Sequence, residues 1–390
     1  MHFSFSKSDR SRTMAVGSQH SASVDHLSKI AASAGITING DAPWDLRLID
    51  DKAADRILAQ GSLGLGESYM DGQWECEQID ELISRLLRHR IDEKVKTAST
   101  LWHVLRAKYI NNQTRSKAWE VGEKHYDLGN EFFRDMLDAR MTYTCGYWDQ
   151  ATTLDEAQEA KLDLVCQKLG LEPGMTVLDI GCGWGSFMRF AAERYGVQCT
   201  GITISKEQAE YGQKMCEGLP IKFVLQDYRD LSGQYDRIVS LGMFEHVGRK
   251  NYRTYFEAAR KNLKEDGLFL MHSIGGLYRD HDPDPWIHKY IFPNGEIPVI
   301  GQVADHTEGL FIIEDLHNFG ADYDKTLMAW HANFEKHWAK HAPQYSQRFY
   351  RMWRYYLLIC AGSFRARDNQ LWQFVLSPKG VPGGYRRPKL

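Results

Sequence analysis

Three short stretches carry residues whose types and spacing could do chemistry. Ser240-Leu-Gly-Met-Phe-Glu-His-Val-Gly248 sets an acid, Glu245, beside a histidine, His246. It follows an apolar run that reads as a strand, Tyr235-Asp-Arg-Ile-Val-Ser240. A carboxyl and an imidazole at the end of a buried strand are suited to orienting or moving a proton. Asp179-Ile-Gly-Cys-Gly-Trp-Gly185 follows another apolar strand and opens a helix. Glycines there allow a tight turn and let a ligand lie against bare backbone. Gly267-Leu-Phe-Leu-Met-His272 ends a third strand on a histidine.

These stretches need a scaffold that brings strand ends together. From Thr153 onward strands and helices alternate. Thr153-Leu-Asp-Glu156 and Ser205-Lys-Glu-Gln208 are capping boxes that open helices. Strands are predicted at Met175–Ile180, Val197–Ile202, Ile221–Leu225, Asp236–Leu241, Gly267–His272, Gly309–Glu314 and Leu371–Leu376. That alternation predicts an α/β fold, a parallel-rich sheet covered on both faces. Its functional crevice lies outside the carboxyl ends of the strands. The first part of the chain lacks this alternation. It shows helical patterns at Val24–Ala34, Asp51–Gln60, Gln78–Arg90 and Lys94–Tyr109, interrupted by a glycine-rich turn at Gly61–Gly72. We divide the chain into a Ser-rich disordered tail at 1–20, a smaller, mainly helical domain at 21–118 with its linker at 111–118, and a catalytic domain at 119–390.

The glycine loop also narrows the ligand. An acid, Asp179, just before the first glycine suits an ammonium- or hydroxyl-bearing ligand and would repel a pyrophosphate. The spacing is GxGxG, and the second strand ends Gly201-Ile-Thr-Ile-Ser205 without the acid a dinucleotide ribose needs. The plainer alternatives stand beside these readings. The loop could be only a tight turn, Glu245 a helix-capping acid, and His272 a hydrogen-bonded buried histidine. His246 reads as structural, or as support to the cofactor site.

Composition sets the bounds. Hydrophobic residues are 43% and charged residues 25% of 390, a globular profile, and the net charge of −3 gives no basic field for nucleic acid. Seven cysteines without a CxxC pair argue against a disulfide framework or a zinc site, so no metal is expected and a reducing compartment fits. No apolar run approaches the ~20 residues that span a bilayer, so membrane contact is expected to be peripheral.

Taken jointly, Tyr143-Thr-Cys-Gly-Tyr-Trp148, Val177-Leu-Asp-Ile-Gly-Cys-Gly-Trp-Gly185, Gly242-Met-Phe-Glu-His-Val-Gly248, Lys289-Tyr-Ile-Phe-Pro-Asn-Gly295, Asn318-Phe-Gly-Ala-Asp-Tyr323 and Ala361-Gly-Ser-Phe-Arg-Ala-Arg-Asp368 resemble the cyclopropane-fatty-acid-phospholipid synthase family. The mycolic acid cyclopropane synthases are relatives of its catalytic part. The resemblance runs from about residue 28 to 376 and includes Gly61–Gly72, in a domain the mycolic enzymes lack. It implies a Rossmann-like class I methyltransferase sheet that uses S-adenosylmethionine. The reaction it implies adds a methylene across a cis double bond of a phospholipid acyl chain.

The resemblance also implies site residues. Cys145, Glu245, His272, Ile274 (through its backbone) and Tyr323 would hold a bicarbonate ion that acts as the base. Tyr143 and Thr144 would close over the methionine end of the cofactor, with Asp179, Gly181 and Gly183 in the loop beneath. Thr203 and Gln208 would take the place of the ribose acid, and Asp227 and Tyr228 would face the adenine. Taken blind, Cys145 among aromatics reads as packing. Cys360, a second family candidate, sits in an apolar helix and reads as packing near the acyl site. Phe244, Trp286, Tyr290 and Phe292 are candidates for the acyl channel. The helical domain would engage phospholipid, and basic residues at Arg106, Lys108, Arg115, Lys117, Arg386, Arg387 and Lys389 could meet anionic headgroups. The implied working form is a cytoplasmic homodimer, peripherally associated with the inner leaflet. Two other products of the same residues stay open: a methyl- or methylene-branched chain, or a lipid-binding protein without catalysis.

Overall fold

Short apolar strands cannot satisfy their own backbone N–H and C=O groups, so they pair laterally. Seven do so here: β3 (Thr176–Ile180), β4 (Gln198–Thr203), β5 (Ile221–Leu225), β6 (Tyr235–Leu241), β7 (Leu263–Gly275), β8 (Ile312–Asn318) and β9 (Gln370–Ser377). Their order across the sheet is β5-β4-β3-β6-β7-β9-β8. The first five run parallel, and β9 pairs antiparallel with both β7 and β8. The computed structural model describes residues 21–91, 129–279 and 283–389. The expected tail at 1–20, the helix Lys94–Tyr109, the linker at 111–118 and the basic residues from Arg106 to Lys117 lie outside the described residues.

Helices cover both faces, as a parallel sheet requires. They are α6 (Leu154–Lys168), α7 (Ser186–Tyr195), α8 (Lys206–Met215), α9 (Tyr252–Asn262) and α11 (Ile300–Thr307), with α5 (Asn130–Met136) and α10 (Pro285–Tyr290) near the strand ends. The Thr153 capping box is formed, with Glu156 answering its side chain. Two long helices, α12 (Ala321–His341) and α13 (Gln347–Ala366), precede β9. The chain runs β3, β4, β5 in one direction and returns to β6 on the other side of β3. That reversal opens a crevice outside β3 and β6.

The first described part holds α1 (Ala22–Ala32), α2 (Lys52–Gln60), α3 (Ser62–Met70), α4 (Ile79–Arg88) and a two-stranded ribbon of β1 (Arg47–Leu48) and β2 (Trp74–Glu75). Its apolar residues share one core with α13: Val24, Trp74 and Leu82 belong to the same buried cluster as Trp353, Tyr355 and Phe364. Ion pairs Arg351–Glu75 at 2.7 Å, Arg348–Asp71 at 2.9 Å and Arg365–Asp80 at 2.6 Å cross between them.

Three expectations need correction. Gly61–Gly72 is not a turn but mostly helix α3. Its glycines serve close packing, since a Cβ on Gly66 would lie 2.4 Å from Trp286 and one on Gly64 2.2 Å from the Arg56 carbonyl oxygen. His272 does not end its strand. Pairing with β6 stops at His272, but β9 carries β7 on to Gly275. The strand expected at Gly309–Glu314 sits at Ile312–Asn318, because Leu310 and Phe311 turn their N–H groups back to the Thr307 carbonyl at the end of α11 and only the later residues meet β9.

Candidate active site

A cavity of about 220 Å³ opens in the crevice outside β3 and β6. Tyr143, Thr144, Asp179, Gly181, Gly183, Thr203, Gln208, Asp227 and Tyr228 all line it. Gly181 takes φ +85° at the end of β3, and a Cβ there would stand 2.7 Å from Met243 Cγ. Gly183 takes φ +53°, and a Cβ there would meet nothing within 4 Å, so the backbone is bare toward the cavity. Burial lifts the Asp179 carboxyl from its ordinary 3.8 to about 7, against the pull of Lys161. Thr203 Oγ1 lies 3.3 Å from Gln208 Oε1, and the Ser205 side chain caps α8. Both oxygens of Asp227 accept from Arg229, its N–H at 2.9 Å and its guanidinium at 3.0 Å. Tyr143 and Tyr356 join their hydroxyls at 2.9 Å, tying one wall to α13.

A second group of polar side chains lies on β7 and just after β6, next in the chain to the cavity-lining Met243 and His246. Glu245 sits in a one-turn helix after β6, and its Oε1 accepts the Ile274 N–H at 2.7 Å. Burial lifts its carboxyl from 4.5 to about 7, opposed mainly by that N–H. Among the described residues its other oxygen, Oε2, has no partner at hydrogen-bonding geometry, although the Ser273 side chain also helps to hold the carboxyl down. His272 is buried on β7, and burial together with Lys161 and Lys168 holds it well below its ordinary 6.5, so the ring is neutral. Its Nδ1 lies 3.2 Å from Gln373 Nε2, while its Nε2 has no partner among the described residues. An unmatched buried polar atom costs about 1–3 kcal/mol. Two such atoms, one on an acid and one on a neutral imidazole, suit a small ligand that both accepts and donates.

Tyr323, Cys145 and Cys360 complete the group. Burial pushes the Tyr323 phenol well above its ordinary 10, and Cys145, Glu245, Tyr143 and Cys360 are near enough to push it further. Cys145 is fully buried; burial, then Asp322, push its thiol up, and Thr326 Oγ1 lies 3.9 Å from its sulfur. Burial likewise pushes up the Cys360 thiol, on α13. Neither sulfur is a ready nucleophile, since the thiolate is the reactive form.

The profile of the mycolic acid cyclopropane synthetase family matches residues 113–374. The chain belongs to that family. It is 52% identical over 360 residues to a cyclopropane-fatty-acyl-phospholipid synthase of Escherichia coli K12, covering 92% of this chain and 94% of that one. Among solved structures, the cyclopropane synthase MmaA2 of Mycobacterium tuberculosis shares 36% identity at a TM-score of 0.63, covering 66% of this chain and 97% of that one. The mycolic acid cyclopropane synthase CmaA1, solved with SAH and CTAB, shares 35% at 0.62 over the same fractions. The fold is therefore Rossmann-like, of the class I methyltransferase type.

Within this family member the aromatic candidates fall into two sets. Phe292 lines the cavity and lies 5.8 Å from Tyr356. Phe244 does not line it: it stacks on Tyr252 at 4.3 Å inside the sheet core. Trp286 is buried against Tyr355 at 4.7 Å and against Gly66, and Tyr290 donates its hydroxyl to Glu67 at 2.8 Å. These last two join the two parts of the chain. Aromatic rings nearer the polar group are Trp330 and Phe364, 6.0 and 4.5 Å from Tyr323. Of the basic residues in the C-terminal tail, Arg387 is held by Asp315, whose two oxygens accept from its guanidinium at 2.8 and 2.6 Å.

Sequence reasoning missed three buried polar residues. Lys161 donates to Thr144 Oγ1 at 2.9 Å, and Lys168 donates to Gln373 Oε1 at 2.8 Å. A signal was present for the lysines. With Leu154, Ala157 and Val165 they fall on one stripe of α6 at helical spacing, and that stripe is apolar and buried. Gln373 gave no signal, because nothing in a strand's alternation tells a buried glutamine from an apolar neighbour.

Proposed function

We propose that this chain converts the cis double bond of an unsaturated phospholipid acyl chain into a cyclopropane ring, with S-adenosylmethionine and bicarbonate. When bound, S-adenosylmethionine supplies an electrophilic methyl group and bicarbonate supplies the base. The observation that carries the reading is that two buried atoms, Glu245 Oε2 and His272 Nε2, make no hydrogen bond among the described residues, with Glu245 next in the chain to His246, which lines the glycine-floored cavity. The Asp179 loop, with Thr203 and Gln208 opposite, would hold the cofactor. The alkene itself is the nucleophile, so no residue need activate it.

The residues around the reacting carbons then have two tasks. Tyr143, Tyr323, Trp330 and Phe364 exclude water and offer π faces to the developing cation, a contact of about 2 kcal/mol or more when desolvated. Glu245 Oε2 would accept the hydrogen of a bound hydrogencarbonate, and His272 Nε2–H would donate to it. Ile274 holds Glu245 through its N–H, and Tyr323 and Cys145 close the remaining sides. The experiment that tests this uses vesicles of unsaturated phospholipid and methyl-labelled cofactor. The expected acyl product gains the mass of one CH₂ and loses its alkene. A product that keeps an alkene or carries an added methyl would overturn the ring-forming reading.

The substrate lies in a bilayer, and the reading places this enzyme on the cytoplasmic face as a peripheral homodimer. Among the described residues no helix is long and apolar enough to cross a membrane. Leu277, Tyr278, Ile297 and Ile300 are exposed beyond the end of β7 and could meet acyl chains at the membrane surface. The helical domain would help engage the phospholipid. The protein is expected to sediment with phospholipid vesicles yet stay dispersed without detergent. Failure to sediment with any composition, together with full activity on soluble acyl thioesters, would point to another substrate.

A further inference from the structure

We propose that Lys168 and Gln373 are positioning residues that fix which nitrogen of His272 carries the proton. The three strands β7, β9 and β8 place His272, Gln373 and His317 side by side in one register row. All lie beneath α6, whose last residue, Lys168, drops its ammonium among them. Lys168 Nζ donates to Gln373 Oε1 at 2.8 Å and reaches His317 Nδ1 at 3.0 Å, with Asp315 Oδ2 at 4.0 Å. The Gln373 amide then turns its nitrogen to His272 Nδ1 at 3.2 Å.

The inference follows from donor and acceptor counts. An ammonium has no lone pair, so only the amide oxygen of Gln373 can face it. The amide NH₂ must therefore face His272, and it can only donate. His272 Nδ1 must accept, so a neutral ring carries its proton on Nε2. That Nε2 is the buried atom left without a partner, and it becomes a donor aimed at the site. A neutral lysine would remove the constraint, because its lone pair could accept from a flipped amide.

The surroundings set the lysine's charge. Burial draws Lys168 down from 10.5 to about 7, with Asp315 holding it up and Arg387 pressing it down. His317 is itself pushed down to about 4, mainly by burial, so it stays a neutral acceptor. Lys161, two turns earlier on the same face of α6, adds positive charge toward His272. The C-terminal segment closes the back of the row: Tyr385 donates its hydroxyl to the Lys168 carbonyl at 3.1 Å, and Arg387 binds Asp315.

Nitrogen NMR of the full-length protein labelled in histidine tests this directly, with the His272 signal assigned from a His272→Gln variant. Below pH 7, where Lys168 is mostly an ammonium, the wild type is expected to show His272 protonated at Nε2 alone. Gln373→Glu makes the central residue acceptor-only, toward both Lys168 and His272. It should invert the tautomer to Nδ1–H and lower turnover at least tenfold, with S-adenosylmethionine affinity within about twofold. A wild-type ring protonated at Nδ1, an unchanged tautomer in folded Gln373→Glu, or wild-type turnover with the inverted tautomer would each overturn the proposal. Should Gln373→Glu not fold, Lys168→Met replaces it: both tautomers are expected, and a single Nε2–H form would remove the lysine from the argument. The proposal rests on the reading that His272 donates into the site. A rate indifferent to carbonate would sink that reading, whereas the tautomer result would stand or fall by itself.

Discussion

Gly183→Val is expected to abolish S-adenosylmethionine binding while the protein still folds. Gly183 takes φ +53°, a left-handed conformation that costs an L-residue about 1–2 kcal/mol. That cost is small against the roughly 5–15 kcal/mol that holds a domain together. The new Cβ meets no protein atom within 4 Å, so nothing in the fold clashes with it. It stands instead in the cavity that Asp179, Thr203 and Gln208 share. Two companions separate strain from occupancy. Gly72→Val takes a similar strain at φ +75°, also in open space, but away from the cavity, and should bind cofactor normally. Gly181→Val drives a side chain into Met243, 2.7 Å from the new Cβ, and should impair folding itself. Titration calorimetry should show at least a hundredfold loss for Gly183→Val only. Unchanged affinity in the folded variant would remove the loop from cofactor binding.

What was legible in the sequence follows from how local each signal is. The capping box at Thr153, the Ser205 cap and the apolar strands of the parallel sheet are decided within a few residues and stand where the pattern put them, although at Ser205 the box is only half formed, since its N–H goes to Thr203 Oγ1 at 3.1 Å and not to Gln208. The glycine loop of the cavity was legible for the same reason, since strand ends and the turns after them fall together wherever a sheet reverses its winding, whereas Tyr143, Thr144, Thr203, Gln208, Asp227 and Tyr228 were legible only through the family resemblance. Signals that depend on a distant partner were not legible. Gly64 and Gly66 read as turn residues, yet they are small because the Arg56 carbonyl and Trp286 press against them. The continuation of β7 past His272 depends on β9, about a hundred residues later in the chain. Phe244 resembled a channel residue by its place in the motif, but Tyr252 and Tyr255 on α9 enclose it. Gln373 became visible only once β7 and β8 had been laid beside β9.

Glu245→Gln should separate catalysis from both cofactor binding and stability. The amide keeps the size of the acid, and its oxygen can still accept the Ile274 N–H that Oε1 accepts now at 2.7 Å. That turns its NH₂ to the Oε2 position, where it can only donate, so the charge and the charge-assisted bond to the base's hydrogen are both lost. The base acts only after the methyl has left the cofactor, so binding should be nearly intact while turnover falls well over tenfold, at least ~1.4 kcal/mol of barrier. Stability should move the other way. The unfolded chain ionises this acid near 4.5, whereas burial lifts it to about 7 in the fold. Folding therefore takes up a proton between those values, and wild-type stability falls as pH rises through 7. The glutamine variant has no ionisation there. It should resist urea better than the wild type above pH 7, and the difference should close below pH 4.5. Carbonate depletion gives the matching test on the unmodified enzyme: turnover should drop on removal and return on re-addition, while the slowed variant responds less. A glutamine variant with wild-type turnover, or one less stable than the wild type at pH 8, would mean that Glu245 is a structural acid whose charge the fold requires.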